Sequence, residues 1–416
     1  MRLGPQLLYT LLFLLALDLS AQELKFNLKL TEAITAGNPV SVDITSFGLN
    51  VNNTSFQLFR LEKKNQIALL SQINKGGRVI LNFATDKTLE AGEKNEFVLK
   101  VSESNEKGSS IGLQKDNEGV KLLANGKPIL NYQTAMTYPP EGVNPIYRKS
   151  GFIHPLWSPS GEVLTRIQAP DHYHHYGIWG PWTKTQINGR PVDFWNLASG
   201  EGSVRFSKLL SMEEGEVYAG FTALQEHLDF GAKGEDQVAI NEQLQVNAWN
   251  VDPSGSSYMI DYTTTINSPL DSGIVFDAYR YGGGIGMRMT EKWHKDNCTV
   301  LTSEGHDRLK ADGTEARWCI VEGESASGRS GVLFMSHPGN RAHPEPMRVW
   351  PINANGDRGD MFFEFCPIRH DSWVIEKGKN YTLKYRMVVF DGGMTAERAE
   401  QHWKAFAQSP QAVLVK

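Results

Sequence analysis

Residues 171–176 read DHYHHY, which puts one carboxylate, three imidazoles and two phenols into six positions. Imidazole changes charge near neutrality, so His172, His174 or His175 can serve as general acid or base. The same rings bind divalent metals through a nitrogen, and Asp171 can then add a ligand or orient a histidine. Backbone geometry decides which of them meet. In a regular strand His172 and His174 share a face and His175 points away, whereas in a loop all three converge. Three expectations follow: proton transfer by the histidines with Asp171 as orienting group, a divalent metal at His172 and His174, or a polar turn beside an aromatic core. Arg166 precedes the segment as a candidate partner for an oxyanion or carboxylate. GIWGPW (177–182) follows it, and Gly177 and Gly180 allow close backbone approach there.

Tryptophans crowd the same region: Trp157, Trp179, Trp182 and Trp195. Indole faces stack on the apolar C–H faces of sugar rings, while nearby polar groups bond the hydroxyls. Trp179 and Trp182 are the expected platform, with Tyr176 beside them; the alternative is that they fill a large β-core. A second cluster, SHPGNRAHPEP (336–346), reads as an irregular loop after the buried strand GVLFM and offers His337 and Asn340 as substrate contacts. It is expected to share one pocket with 171–176, and the glycine-rich segment 279–294 is expected to meet them there. A third, YRYGGGIGMRMTEKWH (279–294), lacks the spacing and the following helix of a phosphate loop, so nucleotide binding is rejected. Its glycines mark a bulge or close backbone approach. Arg280 and Arg288 meet an acidic sugar or pair with structural acids. Glu226, His227 and Glu364 lie in apolar stretches, as proton-transfer groups or as paired structural ones. Neither HExxH nor CxxC occurs.

The elements that carry these residues read as strands. NPVSVDITSF (38–47) alternates Val40, Val42 and Ile44 with Ser41, Asp43 and Thr45. Short strands of this kind over 22–104 predict an immunoglobulin-like β-sandwich. SESNEKGSS (102–110) reads as a linker. From 111 to 416 the pattern remains strand-rich. SSYMIDYTTTIN (256–267) and NYTLKYRMVVFDG (380–392) both repeat at period two, predicting large packed antiparallel sheets. The exception is MTAERAEQHWKAFAQSP, a helix with Ala396, Ala399, Trp403 and Phe406 on one stripe and Thr395 as N-cap. The fold class is thus all-β with a C-terminal helix.

The chain has 416 residues, 40% hydrophobic and 21% charged, with a net charge of −5 and no basic stripe, so nucleic acid is not an expected partner. At the N-terminus, Arg2, an apolar run from Leu7 to Leu17 and Ser20-Ala21-Gln22 predict a signal peptide over 1–21. An exported, periplasmic or extracellular protein is expected, with no membrane insertion after cleavage. Cys298, Cys319 and Cys366 are too few for a disulfide scaffold; they read as three buried thiols, or as one bridge and a free thiol.

HPLWSPSGEVLTRIQAPDHYHHYGIWGPW (154–182), followed by VDFW (192–195), resembles the signature of the PmoA-like family common in Bacteroidetes and Planctomycetes. Pro155, Gly161, Thr165, Arg166, Pro170, Asp171, His172, His174, His175 and Gly177 carry the resemblance. GVLFMSHPGNRAHPEPMRV and KGKNYTLKYRMVVFDG are similar to its later segments, so it spans roughly 111–405. One position departs: the family has Arg after the double histidine, and this chain has Tyr176. The family's label, methane oxygenase, is not carried over, because that chemistry belongs to an integral membrane complex. The resemblance implies a galactose-mutarotase-like β-supersandwich, a fold that hosts sugar epimerases, polysaccharide lyases and glycoside-processing enzymes. Together these readings predict an exported carbohydrate-active enzyme of lyase, hydrolase or epimerase type with a small-molecule or oligosaccharide substrate. The alternatives are a non-catalytic carbohydrate-binding protein and a metal-dependent lyase or oxygenase.

Overall fold

A computed structural model describes residues 23–51, 54–102, 111–180, 182–231, 236–249, 252 and 254–415. The expected signal peptide and residues 103–110 of the expected linker lie outside these residues. All the sheets are antiparallel, and the described residues contain one α-helix.

The N-terminal part is a two-sheet sandwich. Pro39–Asp43, Arg78–Ala84 and Ser71–Gly76 form one sheet; the other contains Glu23–Lys29, Asn95–Ser102, Ser55–Glu62 and Asn65–Leu69. Alternation builds it: Val40, Val42 and Ile44 are buried while Ser41 and Asp43 face water. Phe26, Leu81, Phe83 and Phe97 fill the space between the sheets. The chain's last strand, Gln411–Leu414, pairs with Glu23–Lys29, so this sandwich is completed from the far end of the sequence rather than by 22–104 alone. The helix Ala396–Ala407 docks between the two parts. Thr395 caps it by accepting the N–H of Arg398 at 3.2 Å, Ala405 packs on the first sandwich, and Trp403 and Phe406 pack on the second.

The second part stacks two larger sheets. Long strands dominate one: Gly202–Glu213, Tyr218–Asp229, Gln237–Trp249, Ser257–Asn267 and Tyr381–Asp391 run side by side, followed by Gly328–Ser336, Trp318–Ser325 and Cys298–Thr302. Tyr258, Ile260, Tyr262, Thr264 and Ile266 are buried, as their alternation predicts. The other sheet is assembled from shorter pieces, among them Glu345–Val349, Phe362–Phe365, Ile285–Arg288, Ile178–Trp179 and Phe152–Leu156 in that spatial order. Its strands are apolar on both faces, which fixes where the site lies. Ile153, Ile178, Met287, Phe363 and Val349 join the core between the sheets. Their neighbours Phe152, Trp179 and Phe362 form a separate aromatic cluster on the opposite face with Trp195 and Trp350. The three cysteines are buried and free. No helix of the described residues is long and apolar enough to cross a membrane.

Candidate functional site

DHYHHY lies over that second aromatic face, in a hairpin between Ile167–Ala169 and His172–Tyr176. Ile167 pairs with Tyr176 and Ala169 with His172, leaving three residues, Tyr173 to His175, opposite Gln168 alone. Gln168 takes a positive φ of 48°. A bulge of this kind breaks strict alternation and re-aims side chains. All three imidazoles therefore converge although the segment is a strand. The ring centroids of His172 and His175 are 4.6 Å apart, those of His174 and His175 4.8 Å, and those of His172 and His174 5.3 Å. One ring nitrogen from each falls within 4.8 Å of the others.

Each histidine is held differently. Asp171 Oδ2 accepts from His172 Nδ1 at 2.7 Å, so a proton sits on Nδ1 and Nε2 is the ring nitrogen left to take a metal. The same oxygen accepts from Arg288 Nη2 at 2.8 Å, which also donates to Asp360 Oδ2 at 2.8 Å. Burial alone raises the Asp171 carboxyl, but the His172 hydrogen bond and the Arg288 charge outweigh it and hold the group well below the usual carboxylate range. Arg288 is buried with its guanidinium 4.5 Å from the Trp350 ring centre. Burial pushes His174 down to about 4, and the nearby His172 charge adds to the effect. His175 is 2% exposed, packed against Trp179, Trp350 and Phe362, and held well down by burial. Its Nδ1 is buried without a hydrogen-bond partner. Three converging imidazoles, one oriented by a carboxylate and two held low by burial, form a donor set suited to a divalent transition metal.

The histidines open onto a cavity of about 320 Å³. Trp195, Tyr281, Trp350 and Phe362 give it apolar walls; Asn196, Asn355, Arg280 and Arg348 give it polar ones. This mixture, at this size, suits a small polar molecule with one apolar face.

The expected residues divide. Arg288 supports the site from below, through Asp171. Arg166 joins the same network, 3.2 Å from Glu291 and 3.9 Å from Asp360. Neither lines the cavity. Tyr176 is buried against Phe152 at 4.7 Å; its hydroxyl donates to the Tyr147 carbonyl and accepts from Gln168. Trp179 lies behind His175 and edge-on to Trp195 at 5.4 Å. Trp182 is 1% exposed and stacks on Phe276 at 4.3 Å, in the core between the sheets. The expected Trp179–Trp182 platform is thus corrected: both indoles are interior packing, and Trp350 and Trp195 are the tryptophans that reach the cavity.

The expected common pocket is half right. Segments 171–176 and 279–294 meet there, through the histidines and through Arg280 and Tyr281. Segment 336–346 does not line it. Asn340 donates to the Lys384 carbonyl at 2.9 Å and accepts its N–H at 2.8 Å, and His337 packs 5.3 Å from Phe406. These side chains pin a loop to the strand Tyr381–Asp391 and the helix. Glu226 is a paired structural acid, 2.7 Å from Arg205. His227 bonds Glu242 at 2.8 Å, and Glu364, raised by burial, accepts the Gly282 N–H at 2.9 Å. Missed from the sequence were Arg348 and Trp350, and the loop PINANGDRGD (351–360) that supplies Asn355 and Asp360. Its density of Gly, Asn and Asp was the available signal.

Among solved structures, a galactose mutarotase related enzyme from Lactobacillus acidophilus is similar to 68% of this chain over 97% of its own, at 8% identity and a TM-score of 0.31. No curated protein matches. A family profile described as "Family of unknown function (DUF6807)" matches residues 119–404, which cover the hairpin, the cavity and both large sheets, and the chain belongs to that family.

Proposed function

We propose that the cavity is the active site of a metal-assisted enzyme acting on a sugar or glycoside, and that the protein works after export. The observation that carries this is the convergence of one ring nitrogen from each of His172, His174 and His175 within 4.8 Å, beside an open cavity. A divalent metal held there supplies a Lewis acid for a substrate oxygen or a water of lowered pKa. The chain's own groups do the rest. Asp171 fixes the His172 tautomer and is itself fixed by Arg288. Trp350 and Tyr281 receive an apolar sugar face, and Asn196 and Asn355 are placed for hydroxyls. Burial keeps His174 and His175 neutral and available as ligands.

The sugar reading rests on this wall chemistry. Lyase, hydrolase and epimerase reactions all suit a Lewis-acid site. The N-terminal sandwich, where no comparable cluster of titratable groups occurs among the described residues, is read as a spacer or docking module. The 2.7 Å Asp171–His172 contact favours one second reading, a metal-free active site in which His172 is the general base. Removing metal with a chelator and restoring zinc separates the two. The metal reading expects turnover of a glycoside panel to vanish and return; turnover indifferent to chelation supports the metal-free base.

A further inference from the structure

The charges around the cavity are unevenly matched. Beneath the histidines, Arg288, Arg166 and Arg358 face Asp171, Asp360 and Glu291, three cations against three anions. At the rim, Arg348 lies 2.6 Å from Asp312, which also stands 3.5 Å from Arg369. Arg280 differs. It is exposed, lines the cavity, and has no carboxylate partner among the described residues. Its guanidinium rests on aromatic rings instead, 5.6 Å from the centre of Tyr281 and 6.0 Å from that of Tyr279. No Asp or Glu lines the cavity among the described residues. The nearby Asp193 is committed to Trp195, Asn196 and Thr183.

A divalent ion on the three imidazoles brings two further positive charges. Asp193 offsets at most one. The loaded cavity is therefore cationic, and Arg280 is its cation with no carboxylate partner among the described residues. Such a site favours an anion, and a guanidinium held on aromatic rings presents its fork to a planar carboxylate.

The geometry points to a sugar acid as the substrate class: a pyranose or open-chain sugar carrying a carboxylate that Arg280 holds while Trp350 receives the ring. This inference rests on the reading of the cavity as a metal-assisted sugar site. Arg280 is a binding and specificity residue here, with no role in holding metal.

The test is calorimetric binding to the full chain, zinc-loaded and separately chelator-treated. The probes are D-glucuronate, D-galacturonate and D-gluconate, against D-glucose and D-galactose. At least one acid is expected to bind tenfold or more tightly than its neutral counterpart, and Arg280→Gln is expected to reduce that preference below threefold with metal content unchanged. Equal affinity for acid and neutral sugar overturns the inference, as does a preference that survives Arg280→Gln or a failure of every acid to bind at millimolar concentration. An Arg280-dependent acid preference in a protein that retains no zinc supports the inference and removes the metal reading. Retained zinc without any acid preference does the reverse.

Discussion

Asp171 Oδ2 lies 2.7 Å from Nδ1 of His172 while the same oxygen is held by Arg288. The contacts form one line of support running from a buried guanidinium, through a carboxylate, to one of the three histidines that line the cavity. A carboxylate in this position fixes the ring's tautomer and orientation and raises its basicity as a ligand.

Asp171→Asn keeps the shape but loses the charge and lets the His172 tautomer reverse. Zinc affinity, read by competition with a chromophoric chelator, is expected to fall about 10–100-fold. Unchanged affinity places His172 outside the metal site.

His175→Phe replaces a buried imidazole whose Nδ1 has no partner with an apolar ring among aromatic neighbours. Leaving a buried polar group unsatisfied costs about 1–3 kcal/mol. The metal-free variant is therefore expected to be as stable as the metal-free parent or more so, and to bind no metal. Denaturant unfolding with and without zinc checks both. A variant that still gains stability from zinc contradicts the three-histidine assignment.

Aromatic roles separate Trp350 from Trp182. Trp350→Ala is expected to weaken sugar binding about tenfold or more while the fold survives. Trp182→Ala removes an indole from the core and is expected to cost about 3–5 kcal/mol of stability. Sugar titration and unfolding of both variants read the difference; weakened binding from Trp182→Ala at full stability reverses the assignment.

Stability should depend on pH through buried groups away from the histidine cluster. Burial raises Glu345 to about 7 although Tyr385, Ser336 and Asn340 donate to it. A raised carboxyl contributes fully below its unfolded value of about 4.5, and that contribution is lost as pH climbs through 7. Glu345→Gln should thus gain stability relative to the parent between pH 4.5 and 7 and level off above. His402 shifts the other way. Burial, with the charges of Arg398 and Arg386, depresses it to about 4, so its unfolded form takes the proton first and stability falls as pH drops from 6.5 to 4. Unfolding free energies across pH 4–8 test both signs, and His402→Gln should flatten the acid limb.

Most of the fold was legible because it rests on period two. The strands at 256–267 and 380–392 declare which residues they bury, and Thr395 announces the helix. The strands bearing the site are short, buried on both faces and paired across long sequence distances, so alternation says little about them. Gly283 shows the limit. Four glycines in five positions signalled close approach, but only the structure shows that a Cβ at 283 falls 1.9 Å from Trp182 Cζ3. The histidine cluster was visible by composition. Its convergence was not, because it depends on the bulge opposite Gln168. Trp179 and Trp182 misled because an indole bears no mark of the face it will occupy. Asp360, Asn355 and Arg348 come from strands and loops far along the chain, and only long-range pairing brings them to the hairpin.

The three-histidine metal site is tested most directly by the metal content, by mass spectrometry, of protein purified without chelator or affinity metal. The parent and a His172/His174 double alanine variant are compared before and after incubation with zinc. A metal site at these histidines predicts close to one equivalent of divalent transition metal in the parent and less than a tenth of that in the variant. A parent that holds no metal even after zinc, or a variant that holds as much as the parent, contradicts it.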